Sequence, residues 1–287
     1  MEPTDHDGPQ GLAVSTDGYT LVPSSAELTP GTTSPFAFKV TGKDGKPVKS
    51  YSVLHDKELH LIIVRRDLAG YQHVHPTRAA SGTWSVPLAV ASAGVYKAFA
   101  NFQPSGQAMP MPMTLAVDLM ASGAFKAAAL PKPALAATVD SFKVDLAGQV
   151  VVGGSKLTFT VTQSGRPADL QPYLGAFGHL VALRVGDLAF LHVHPEGTPG
   201  HEYHPPAGGK ITFIAPVPTA AQYRLFLDFK SGDVVHTAEF TVVAPRRRDV
   251  TAQPVPGTAT VGSQAVPVHR RVRSSRGSRS CFRPVCR

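Results

Sequence analysis

Six histidines in this sequence fall into two sets of three. His60, His73 and His75 form the first set, and His179, His192 and His194 the second; each set ends in the tetrapeptide HVHP and keeps a spacing of 13 residues between its first two members. Imidazole is the commonest protein ligand for a transition metal. Two histidines at i and i+2 on a strand point to one face, so H-x-H offers an ion two ligands at once. A third histidine on the adjacent strand completes a trio when cross-strand Cβ atoms lie ~4.5–5.5 Å apart, close enough to share one ion at about 2.0–2.1 Å. In the second set, Gly186-Asp187 predicts a tight two-residue turn. That turn sets His194 opposite His179 and His192 opposite Val181. In the first set the longer turn RRDLAG gives the same shared face if it keeps the parity of the pairing. The expectation is one ion in each set.

Other donors form a second tier. Met111 and Met113 of the run MPMPM offer thioethers, which favour Cu(I), and they share a face with Leu115, as core residues also would. His236 lies on a late strand, and His201 and His204 lie in the loop EGTPGHEYHPPAGG beside Glu196 and Glu202. Both cysteines, Cys281 and Cys286, lie near the C-terminal end, so the body of the chain has no thiolate to offer. Imidazoles without thiolate point to copper or zinc. His55 and the DHD of residues 5–7 are given no role, and Trp84 reads as core. Two other readings of the trios stay open. They could be packed, hydrogen-bonded structural histidines, or an open three-histidine zinc site for hydrolysis or hydration. No general base or nucleophile motif lies near them to support the last.

The elements that carry the trios are duplicated. ELHLIIVRRDLAGYQHVHP (58–76) aligns with FGHLVALRVGDLAFLHVHP (177–195), and AGVYKAFANF (93–102) aligns with AAQYRLFLDF (220–229). A repeat of this length is domain-sized and too long for a solenoid unit. Strands are expected near 35–41, 58–65, 71–75, 82–88, 94–102 and 112–118 in the first copy. In the second they are expected near 142–146, 156–162, 179–185, 188–194, 209–215, 221–229 and 235–243, with Gly- and Asp-rich turns between them. Short strands at this density predict an all-β protein of two tandem immunoglobulin-like β-sandwich domains, at residues 18–120 and 138–245. Tyr96 and Tyr223 are placed like tyrosine corners. Residues 1–17 are expected to be a disordered N-terminal remnant, 121–137 an Ala- and Pro-rich linker, and 246–287 a disordered Arg-rich tail.

Charge is unevenly placed. The whole chain carries +8, and the segment from Arg246 onward carries +9, so the remainder carries −1. A nearly neutral body gives no reason to expect nucleic acid as its partner. The tail reads either as a basic appendage or as a frameshifted end, since the strand pattern closes at HTAEFTVVAP. No apolar stretch reaches the length of a transmembrane helix. The first 20 residues contain no basic region followed by an apolar one, so no signal peptide is read there.

The two HVHP segments, with the residues leading into them, resemble a family of actinobacterial secreted or lipid-anchored proteins with duplicated β-sandwich domains. The resemblance spans about residues 11–244, and it extends more distantly to periplasmic copper-handling sandwiches. It implies a twin sandwich in an extracytoplasmic setting, and MEPTDHDGPQG resembles the end of the polar spacer that follows a signal segment in such proteins. The expectation is therefore a non-enzymatic copper- or zinc-binding protein of the cell envelope, whose expected partners are a metal ion and another envelope protein. The alternative is an Ig-like structural or adhesion module.

Overall fold

Leu59–Arg65 and His179–Arg184 read LHLIIVR and HLVALR, almost continuously apolar rather than alternating. A strand of that kind is stable when both of its faces are covered. In the computed structural model, which describes residues 9–106, 111–196 and 207–246, each is a central strand of one sheet of a two-sheet antiparallel sandwich. In the first repeat that sheet runs Glu27–Leu28, Met113–Ala121, Gly94–Pro104, Leu59–Arg65, Gln72–Val74. The facing sheet runs Ser15–Thr16, Tyr19–Pro23, Thr33–Thr41, Thr83–Ala89, Thr77–Arg78. The second repeat has the same order in its histidine-bearing sheet: Val234–Ala244, Ala221–Ser231, His179–Arg184, Phe190–His192. Its facing sheet runs Ala136–Val139, Phe142–Ala147, Ser155–Gln163, Lys210–Ala215, His194–Pro195. The expected all-β, tandem immunoglobulin-like architecture is thus present. Both tyrosine corners form: Tyr96 donates to the Ser92 carbonyl and Tyr223 to that of Thr219, each at 2.9 Å.

Period-two alternation assigns the two faces of each central strand. Leu59, Leu61 and Ile63 pack into the first sandwich with Phe38, Trp84 and Phe102. Leu180 and Ala182 do the same in the second, with Phe159, Phe213 and Phe240. The opposite faces meet each other. Ile62, Val64 and Phe99 of one repeat and Val181, Leu183 and Phe226 of the other form a third apolar cluster, all fully buried. At its edge Tyr71 lies flat on Phe226, with ring centroids 4.0 Å apart and planes 5° from parallel. Leu68 and Leu188 enter the same cluster from equivalent turns, and both have positive φ (66° and 59°). A left-handed leucine costs roughly 1 kcal/mol, which burial of about 1.5–3 kcal/mol per large apolar side chain outweighs. Each turn is braced by one ion pair, Arg65 with Asp67 and Arg184 with Asp187.

Three expectations need correction. Residues 9–17 are not a loose remnant. The Gln10 carbonyl accepts from Phe190 N at 2.8 Å in the second repeat, while Gly11 N donates to Thr114 O and Ala13 O accepts from Ala116 N in the first. Gly11 (φ 68°) is required there, because a Cβ would sit 2.7 Å from the Phe99 ring. The 121–137 segment begins on the last residue of the strand Met113–Ala121 and runs into the strand Ala136–Val139, and between them it is tied down: Ala128 N donates to Asp67 Oδ2 and Phe125 covers the Arg65 guanidinium. The third correction concerns HVHP itself. The second repeat does not hold the one strand expected over 188–194, because the chain changes sheets inside it, and in the first repeat it changes sheets just after residue 75. Gln72–Val74 pairs with Leu59–Arg65, then Thr77–Arg78 pairs with Thr83–Ala89 in the facing sheet. Likewise His192 pairs with Val181, but His194 pairs with Ile214 across the sandwich. The tail beyond residue 246 lies outside the described residues.

Because Phe226 joins the repeats through Tyr71, its truncation removes packing that neither sandwich can replace. Phe226→Ala is expected to destabilise the protein by about 3–5 kcal/mol, seen as a clear drop in the midpoint of thermal or urea unfolding. An unchanged midpoint would show that the two faces are not packed together in solution.

Candidate metal centre between the repeats

His60 begins the inter-repeat face of its strand, followed by Ile62 and Val64, and His179 begins the equivalent face, followed by Val181 and Leu183. Packing the two faces together stacks the rings of His60 and His179, with centroids 5.3 Å apart and planes 14° from parallel. His73 is paired with Ile62 and so shares the His60 face, as its spacing predicted. The atoms then converge. His60 Nδ1 lies 3.0 Å from His73 Nε2 and 3.1 Å from His75 Nε2. One ligand nitrogen each from His60, His73 and His179 can be chosen so that all lie within 4.8 Å of one another. Ligand nitrogens around a tetrahedral zinc at 2.0–2.1 Å are themselves about 3.3 Å apart. The His60–His73 and His60–His75 separations are a few tenths of an ångström from that.

The outer nitrogens show which way the inner ones face. His60 Nε2 is 2.9 Å from the Leu54 carbonyl, which can only accept, so Nε2 carries the hydrogen and Nδ1 presents a lone pair inward. His73 Nδ1 is 2.8 Å from Asp228 Oδ2, so Nδ1–H donates to the carboxylate and Nε2 presents its lone pair inward. A neutral His75 can donate its Nε2–H to His60 Nδ1 at 3.1 Å. His73 Nε2 then faces the same nitrogen across 3.0 Å with no hydrogen between them, and a proton or a metal ion at that point would join the two rings. The surroundings are dry: His60 is 1% exposed, and the side chains of His73 and Asp228 are each 2% exposed. Asp228 is held by Thr237, whose hydroxyl donates to Oδ1 at 2.6 Å, and by the more distant Tyr71 hydroxyl at 3.4 Å. Burial pushes the His60 imidazolium down to about 2, aided by neighbouring His73. Burial, then His73, brings His75 to about 3. Burial, followed by the Asp228 charge, raises Tyr71 and Tyr173 above the ordinary phenol range.

Of the first-repeat trio, His73 and His75 each lie against His60 Nδ1, while the three residues whose ligand atoms gather together are His60, His73 and His179, the last from the other repeat. His194 is not opposite His179, because its backbone lies in the other sheet, while His192 keeps the expected pairing with Val181. Nothing further is described of the His192 and His194 side chains. Met113 is buried in the first sandwich core, on the face of its strand opposite Thr114 and Ala116, and Met111 is exposed, so neither thioether lies with the histidines. His236 is held elsewhere, between Phe142 and Phe229 with its Nδ1 2.6 Å from Asp140. His201 and His204 lie outside the described residues.

The sequence reading missed His55, whose ring is 5.9 Å from His179 and 6.2 Å from His60, and it missed Asp228 and Thr237. Asp228 left a signal: it is an acid within the apolar strand LFLDF, at the position aligned with Asn101, and it pairs with His179 as Asn101 pairs with His60.

Fold and site together define a tandem immunoglobulin-like β-sandwich module with a buried histidine cluster between its repeats. The chain belongs to the family described as a domain of unknown function (DUF8832), whose model matches residues 14–118 and 137–246. No curated protein matches it. Similar solved structures include the Escherichia coli adhesin FdeC, at 12% identity over 80% of this chain and 65% of that one, with a TM-score of 0.26. A Salmonella α2-macroglobulin is similar at 14% identity over 83% of this chain and 15% of that one, with a TM-score of 0.24. Invasin, a bacterial integrin-binding protein, is similar at 13% identity over 79% and 38%, with a TM-score of 0.22. This chain spans less than two thirds of each of them. Among the described residues no helix is long and apolar enough to cross a membrane.

Burying neutral imidazoles ties stability to pH. His60 and His75 titrate near 2 and 3 in the fold, against an ordinary value of 6.5. Above about pH 6.5 both folded and unfolded chains leave them neutral. As pH falls below that, the unfolded chain takes up protons that the fold refuses, so stability declines towards the folded values. The metal-free protein is therefore expected to lose melting temperature steadily from pH 7 to pH 4, and less steeply in His75→Gln. Parallel slopes in the two proteins would refute the assignment.

Proposed function

We propose that this protein is a non-enzymatic, extracytoplasmic metal-binding module that holds one copper or zinc ion between its two sandwiches. One observation carries the reading. His60 Nδ1, His73 Nε2 and His75 Nε2 converge while the outer nitrogens of His60 and His73 already donate to Leu54 O and Asp228. His60, His73 and His75 would hold the ion from one repeat and His179 from the other. An all-imidazole set suits Zn(II) and Cu(II) better than Cu(I), which prefers sulfur. The burial of the cluster argues for retention over turnover, since a catalytic metal keeps an open position for its substrate. Sequestration or long-term holding of the ion fits such a closed site. The extracytoplasmic setting and a protein partner in the envelope rest on the sequence resemblance.

A second reading is favoured by the same hydrogen bonds. A proton can complete the line from Asp228 to Leu54, and the histidines then serve an Ig-like structural or adhesion module. Titration calorimetry of the metal-free protein with Zn(II) and Cu(II), paired with metal analysis of the protein as purified, separates the two. Binding is expected at micromolar affinity or tighter, with one ion per chain, and is expected to weaken markedly without vanishing in His73→Ala, which leaves His60, His75 and His179. No uptake, or uptake indifferent to that substitution, would favour the structural reading. Two equivalents per chain would restore a site in each repeat and overturn the shared one.

A further inference from the structure

We propose that Asp228 is the positioning residue of this site: from the second repeat, it fixes the tautomer and ring orientation of His73 in the first, so that Nε2 faces the ion. The inference rests on the metal-binding reading above. Its basis is geometric. His73 Nδ1 lies 2.8 Å from Asp228 Oδ2, and both side chains are almost wholly buried. The carboxylate is itself held, Oδ1 by Thr237 at 2.6 Å and Oδ2 by Tyr71 at 3.4 Å, so it cannot readily swing away. A carboxylate receiving the far N–H of a ligand imidazole locks that ring and raises its donor strength, and loss of such a partner typically costs 10–100-fold in metal affinity.

Two features set this contact apart from general packing. A carboxylate buried among apolar side chains is costly unless a positive charge compensates it. The nearest described guanidinium on its own strand, that of Arg224, is engaged by Glu239. A divalent ion held by His73 supplies that charge. The duplication also provides an internal comparison. The equivalent of Asp228 in the first repeat is Asn101, whose amide donates to Met113 O and Thr114 Oγ1. The repeats thus share a face and a first histidine, but only one offers a carboxylate there. That asymmetry sets the His73 side of the cluster apart from its counterpart in the second repeat.

The test uses the full chain and Zn(II), with affinity read by competition against a chromophoric chelator, and the Cu(II) complex read by electron paramagnetic resonance. Asp228→Asn, the residue that the first repeat carries, is expected to weaken Zn(II) binding about 10–100-fold and to shift the Cu(II) spectrum. In a His73→Gln background the same substitution is expected to cost nothing further, because the carboxylate acts through His73. A structural role alone would give equal losses in both backgrounds. Should Asp228→Asn not fold, Thr237→Val leaves the carboxylate but frees it, and is expected to weaken binding in the same direction. Wild-type affinity and spectrum in Asp228→Asn, or in Thr237→Val where that is the variant used, would overturn the inference while leaving the metal site standing. Failure of the unaltered protein to bind Zn(II) or Cu(II) would overturn both.

Discussion

The structure depends on the burial of one sheet face against another. A single immunoglobulin-like sandwich buries one face of each sheet and leaves the others to water. Here the Leu59–Arg65 and His179–Arg184 strands are apolar on both sides. Each repeat therefore exposes a hydrophobic face that only a second such face can cover, and the repeats are their own partners. What forms is the kind of contact a homodimer makes, self-complementary and roughly two-fold, within one chain. Leu68 and Leu188, left-handed in equivalent turns, fill it symmetrically.

The histidine cluster is a consequence of this packing. His60 and His179 occupy equivalent ends of the two faces, so laying one face on the other stacks them. Duplication supplied the symmetry, and the departures from symmetry supplied the chemistry. Asp228 against Asn101 is the sharpest departure: the aspartate binds His73 of the other repeat, whereas the asparagine is satisfied by its own neighbours. Burial keeps the His60 and His75 rings neutral. A surface cluster of the same composition would be solvated and would hold an ion far less firmly.

Much of this was legible in the sequence, and particular residues show why. Alternation placed the strands, and the register that pairs Val181 with His192 matches the one read from Gly186-Asp187, although the turn is longer: it spans residues 185–188, with Leu188 N donating to Arg184 O. The 13-residue spacing brought His60 to His73 because it is a local hairpin property. The partnership of His179 with the first trio was not legible in that way, since it depends on docking two domains more than 100 residues apart in sequence. Its trace was the continuous apolar run LHLIIV, which signals a strand covered twice without saying by what. His194 was misplaced for a related reason. A hairpin argument assumes that the strand continues, whereas Val193 turns into the sandwich core and carries the chain to the other sheet. The sheet-pairing rules do not reveal such a crossing in advance.

The backbone near Gln10 has a mechanical consequence. Its carbonyl is bonded to Phe190 in one repeat, while the next residues are bonded to Thr114 and Ala116 in the other. Tension entering the chain ahead of this point does not reach one domain and then the next, as it would in beads on a string. It is applied at the seam and divides between both sandwiches at once. Three backbone bonds hold the segment there, one to the second repeat and two to the first. A module anchored through that segment would transmit load without its halves being drawn apart in sequence, and the histidines behind the seam would be shielded until the whole joint gave way.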